Sequence, residues 1–71
     1  MKRRLEFVQG ASSKFYEVDV TGKSVSVTFG RIGTAGQTQT KQFTDSAAAQ
    51  KHAEKQIAQK LKKGYVEQGA A

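Results

Sequence analysis

The sequence predicts an α+β fold: a twisted antiparallel four-stranded meander sheet with one C-terminal helix packed on one face. Three observations carry this expectation. Apolar residues alternate with polar ones in several segments before Phe29, glycines punctuate those segments, and beyond Thr44 the apolar period lengthens from two to four. A period of two places alternate side chains on one face of a strand, and a period near four marks one stripe of a helix.

Taken in order, Arg4 to Val8 reads as a strand with Leu5 and Phe7 on one face. Gln9-Gly10-Ala11-Ser12-Ser13 has the composition of a loop. Phe15 to Val20 forms a second strand, with Tyr16, Val18 and Val20 on one side and Glu17 and Asp19 on the other. Thr21-Gly22-Lys23 is a hairpin turn. Ser24 to Phe29 alternates without a fault, Val25, Val27 and Phe29 inward and Ser24, Ser26 and Thr28 outward. Gln37 to Phe43 is β-prone but almost lacks apolar residues, which suits an exposed sheet position. Thr44 or Asp45 can cap a helix whose stripe is Ala49, Ala53, Ile57 and Leu61. Lys51, Lys55, Gln59 and Lys62 lie opposite that stripe, Gly64 serves as a left-handed cap, and Tyr65-Val66 returns apolar bulk to the core.

The 71 residues allow one domain, 1–71, with a core over about 4–67 and a tail at 68–71. Mean hydropathy is low at −0.61, yet the regular periods argue for a folded chain. Cysteine is absent, which removes disulfides and thiolate metal sites. No apolar run approaches the roughly 20 residues that span a bilayer, and the basic start Met1-Lys2-Arg3-Arg4 has no apolar signal segment after it. A cytoplasmic location is the expectation.

Catalysis has no candidate residues. The lone His52 falls on the helix away from the stripe and reads as a surface residue, and the six carboxylates form no paired motif. One histidine without converging acids leaves no metal site, and no cofactor is implied. The glycine-rich run is neither a dinucleotide fingerprint nor a phosphate-binding P-loop. Lys60, Lys62 and Lys63 suit the negative end of a helix dipole. What remains is charge: twelve Lys and Arg against six acids give a net +6, with a pI near 9.9. Such a balance favours polyanionic partners.

The run Phe29-Gly30-Arg31-Ile32-Gly33-Thr34-Ala35-Gly36-Gln37 is the informative segment. Its glycines permit positive φ in a tight turn or the close approach of a ligand backbone. Arg31 inside it suits bidentate contact with phosphate or carboxylate, or else an internal ion pair that fixes the turn. The run resembles the signature of WGR domains, named for Trp-Gly-Arg. Ser13-Lys14-Phe15-Tyr16-Glu17, the Thr44-Asp45 entry to an alanine-rich helix and Lys60-Leu61-Lys62-Lys63-Gly64-Tyr65 agree in order, so the resemblance covers about Arg4 to Glu67.

That resemblance implies a compact sheet-plus-helix module. In poly(ADP-ribose) polymerases such domains bind DNA at strand breaks, so it implies a non-catalytic module for DNA backbone or 5′-phosphorylated ends and nicks. By position it implies Phe29 as a stacking residue, Arg31 as a phosphate ligand and Lys14 as a backbone contact, with Gly30 and Gly33 shaping the turn against the ligand. Two residues depart from the family pattern. Phe29 stands in place of Trp, keeping a π face but losing an N–H donor, and it is also in phase with the core residues Val25 and Val27. Ser13 stands where the polymerase domains tend to carry Asn. The alternative reading is a module that docks an acidic protein partner, with the glycine-rich turn as scaffold and the Gln37–Phe43 strand pairing with a partner's edge.

Overall fold

A computed structural model describes residues 2–68; Met1 and the Gly69-Ala70-Ala71 of the expected tail lie outside the described residues. The strands are β1 (Lys2–Gln9), β2 (Ser12–Thr21), β3 (Ser24–Arg31) and β4 (Gln37–Gln42), followed by α1 (Ser46–Lys62) and a short β5 (Val66–Gln68). The sheet order is β4-β3-β2-β1-β5, antiparallel throughout. The four-stranded meander is therefore present, and a fifth strand extends it.

β5 escaped the sequence because three residues carry no readable alternation. It forms by pairing backbone with the free edge of β1, where Leu5 faces Glu67 and Glu6 faces Val66. Arg3 donates from both Nε and Nη2 to the two carboxylate oxygens of Glu67, a bidentate clamp across that edge. Val66 accordingly remains 62% exposed and adds nothing to the core, while Tyr65 packs against it.

The segment expected as a loop at 9–13 contracts to a two-residue turn. Val8 pairs with Ser13 and Gln9 with Ser12, so β1 and β2 both run longer than their apolar residues suggest. Gly10, with φ +58°, occupies the first central position, a geometry that matches the twist of hairpin strands.

The helix begins where Asp45 accepts the Ala48 N–H at 2.7 Å. It ends in a Schellman arrangement: Gly64 N–H donates to the Leu61 carbonyl and Tyr65 N–H to the Lys60 carbonyl, each at 3.1 Å, with Gly64 at φ +105°. Ala49, Ala53 and Ile57 bury against Leu5, Tyr16, Val18 and Val25. Leu61, expected in the same stripe, is 41% exposed. Steps of four residues drift by about 40° each around a helix, so three steps carry Leu61 about 120° away from Ala49. Lys60, eleven residues on, returns within about 20° of it.

Phe15 is buried on the other face, 5% exposed, with no helix above it. It faces Gly30 across the β2–β3 ladder. The Arg4 guanidinium covers its ring at 4.6 Å, held by Glu6 at 3.0 Å and Glu17 at 3.5 Å. The turn after β3 closes the remaining side: a Cβ on Gly36 would lie 2.5 Å from the Phe29 carbonyl oxygen and 2.8 Å from Phe15 Cζ.

Gly36→Ala combines positive φ (+72°) with that overlap, and is expected to destabilise the domain by about 2–4 kcal/mol in urea unfolding. Gly33→Ala also has positive φ but faces open space, so its expected cost is only about 1–2 kcal/mol. Equal costs would mean that the close approach contributes nothing. A second expectation concerns the clamp. Hydrogen bonding from Arg3 holds the Glu67 carboxyl below its ordinary range. A depressed folded-state value stabilises above the unfolded pKa, about 4.3, and is lost as pH falls through the folded value. Protection factors of the β5 amides, referred to the intrinsic exchange rate at each pH, should therefore fall on acidification, and Glu67→Gln should remove that pH response.

Candidate functional site

The side chains on the helix side of the sheet include Phe7 on β1, Lys14 and Tyr16 on β2, and Phe29 and Arg31 on β3, by register. Lys14 stands directly opposite Arg31. Like charges facing each other across strands are destabilising, and no carboxylate relieves this pair among the described residues. Arg31 is exposed, so its guanidinium is open to solvent rather than tied into an internal ion pair.

Arg31 is held by its backbone. Ile32 N–H donates to the Ser13 carbonyl, while the Arg31 carbonyl accepts from the Thr34 N–H at 3.1 Å and the Thr34 hydroxyl at 2.7 Å. The glycine-rich turn thus fixes where the side chain leaves the sheet. Gly30 borders the groove described next, whereas Gly33 is not among its lining residues.

The Schellman end of α1 brings further cations to the same place. This motif sets the third residue from the helix end beside the second residue after it, here Lys60 and Tyr65. The Lys60 ammonium lies 5.6 Å from the Tyr65 ring centroid and 4.8 Å from that of Tyr16. Lys14 Nζ lies 5.5 Å from the Phe7 centroid, and Phe7 in turn packs on Tyr65 at 5.4 Å. Two adjoining clefts result, one of about 360 Å³ bordered by Lys14, Phe29, Arg31, Lys60 and Tyr65, the other of about 280 Å³ adding Lys63 and Phe7. Neither has a carboxylate in its lining.

Four of the six acids are engaged elsewhere. Glu17 pairs with Lys2 and Arg4, Glu6 with Arg4, Glu67 with Arg3, and Asp45 caps the helix. Burial lowers the Lys60 pKa below the ordinary lysine range, and the charges of Lys63 and Lys14 push it further in the same direction. Lys60 and Lys63 were readable only as helix-end charges in the sequence. The signal that could have found Lys60 is its return to the Ala49–Ala53 stripe after eleven residues.

Phe29 is half-buried, packs against the core and also borders the cleft, so it serves both surfaces. On its other side lies a larger opening of about 490 Å³ between α1 and β4. His52 borders this opening and tilts against Phe43 at 4.9 Å, so it is half-buried rather than a plain surface residue. Among the described residues no three His, Asp or Glu side chains converge as a metal site would require, and no helix is long and apolar enough to cross a membrane.

Fold and groove together describe a small α+β binding module that presents cations beside aromatic rings. The chain belongs to the WGR domain family, whose description matches residues 1–71. The WGR domain is a non-catalytic module, commonly one that binds nucleic acid. The chain is 51% identical over 57 residues to the protein YehF of Escherichia coli K12, covering 80% of this chain and 21% of that protein. It is 42% identical over 67 residues to YfeS of the same organism, covering 94% of this chain and 28% of that one. A crystal structure of a Bacteroides fragilis protein superposes with a TM-score of 0.93 at 49% identity, over 97% of this chain and 20% of that one. The chain thus spans about a fifth to just over a quarter of the length of these relatives.

At neutral pH a lysine with a depressed folded-state value costs stability, and the cost is relieved only as pH rises through that value toward the unfolded one, about 10.4. Lys60→Gln should therefore melt at the same temperature as the parent protein or higher. Pyrophosphate should raise the melting temperature of the parent protein and have a smaller effect on this variant. A stabilising effect of pyrophosphate that is unchanged in the variant would remove Lys60 from the site.

Proposed function

We propose that this domain binds DNA through its backbone and ends, with Lys14, Arg31, Lys60 and Lys63 receiving phosphate oxygens and Phe29 and Tyr65 offering ring faces to the sugar or base beside them. One observation carries the reading: four cations converge on an aromatic groove with no acid in its lining. An arrangement that costs folding energy and satisfies none of its own charges is explained by an anion from outside. Arg31 supplies planar, bidentate recognition, whereas the lysines supply point charge. The resemblance of the signature run to domains that engage 5′ ends supports a 5′-phosphorylated break or nick as the preferred form. The groove holds no proton-transfer pair, so the reading is binding without chemistry, in the cytoplasm.

A second reading has one observation in its favour. All six residues of β4 are exposed, and its outer edge is free among the described residues. That edge could take a strand from an acidic protein partner.

Binding to a 5′-phosphorylated nicked duplex and to an intact duplex, each at several salt concentrations, separates these readings. The affinity for the nicked duplex should be higher and should fall by about 0.9 log unit per phosphate contact for each tenfold rise in salt. Arg31→Ala and Lys60→Gln should each lower that slope by about one unit, with melting temperature maintained. Negligible binding to both duplexes would exclude DNA. A protein retained at high salt after nuclease treatment would favour the second reading.

A further inference from the structure

The opening between α1 and β4, about 490 Å³, is larger than either cleft of the phosphate groove and shares only Tyr16 and Phe29 with them. Its floor is Val25, Val27 and Phe29 on β3 with Tyr16 beside them. One wall is Gln56 and His52 of the helix, the other Gln39 and Lys41 of β4. Register explains why it stays open. Gln39 stands opposite Val27 and Lys41 opposite Val25, so β4 presents polar side chains where apolar ones would have let the sheet close against the helix. The result is a flat apolar floor between two primary amides.

The Tyr16 hydroxyl meets Gln56 Oε1 at 3.4 Å, a long contact that leaves the amide able to hydrogen-bond a ligand. Tyr16 and Phe29 border both this opening and the cation groove, so the two form one surface that Phe29 divides. Its lining again contains no carboxylate, and Lys41 stands on the far wall. A ligand that suits the whole surface carries an anion on one side of Phe29 and a flat, uncharged, hydrogen-bonding group on the other.

Resting on the DNA reading above, we infer that this opening is a subsite for an unpaired nucleobase, attached to the strand whose phosphate occupies the Lys14–Arg31–Lys60 groove. The base would lie against Phe29 and Val27 with its pairing edge toward the Gln39 and Gln56 amides. A base inside an intact duplex cannot offer that edge, because its partner already holds it. The domain therefore prefers an end or gap that exposes single-stranded DNA over a fully paired end. Stacking of this type tolerates every base, so little sequence preference accompanies it.

The test uses two fluorescent duplexes with identical 5′-phosphorylated overhangs, one carrying bases and one with abasic tetrahydrofuran units, which match in charge and length. Anisotropy titration should give roughly tenfold tighter binding to the base-bearing overhang. Gln39→Trp, which fills the opening from an exposed strand position, should erase that preference without weakening the abasic probe. Gln56→Met, similar in length and volume but without the amide, should reduce it, and thermal melting confirms that both variants fold. Equal affinity of the parent protein for the two probes overturns the subsite, as does a preference that survives both variants. If the probes bind equally and Arg31→Ala weakens both, the DNA reading stands and this inference alone fails. If neither probe binds, both fail together.

Discussion

One helix has to cover a five-stranded sheet, and it is too narrow to do so. A helix with its side chains is about 10–12 Å across, whereas five strands spaced about 4.8 Å apart span about 19 Å between the outer two. α1 packs mainly on β2 and β3, with β1 at its margin. The sheet surface on either side stays open, and those open margins are the clefts. Where the buried stripe ends, Lys60 and the Tyr65 beyond the Schellman turn border one of them. Where β4 carries glutamine and lysine instead of apolar residues, the other stays open.

Charge is distributed to match. Lys2, Arg3 and Arg4, at the start of β1, are each paired with a glutamate. The cations of the groove are not, and they face one another. A basic pI by itself argues only for a general attraction to polyanions. Four unpaired cations gathered at one place, with no acid in the lining, turn it into a directional statement. The two glycine contacts have a separate purpose. Gly30 and Gly36 let the turn fold onto Phe15, and the same turn fixes the backbone of Arg31, so the segment serves as the scaffold expected of it.

Much of the fold was legible before any coordinates. The alternation of β3, the polar character of β4, the Asp45 cap and the Gly64 stop all rest on local rules: side-chain period, capping chemistry and the freedom of glycine at positive φ. Local rules also explain what was missed. Leu61 belongs to a run of fours in the sequence, but a helix turns every 3.6 residues and carries it off the stripe. β5 has no signal of its own, since its pairing is supplied by an edge 60 residues earlier in the chain.

The sequence by itself determined the class of fold, the family and the segment around Arg31, because each is written in neighbouring residues. The site was determined only in part. Arg31 could be named from its surroundings, and Lys14 and Phe29 from the family resemblance, but Lys60 and Lys63 join them only when the end of the helix crosses the sheet. Tertiary structure alone decided which cations lack acids and where the helix leaves the sheet bare. Those are properties of distance between residues far apart in the chain, and no local pattern records them.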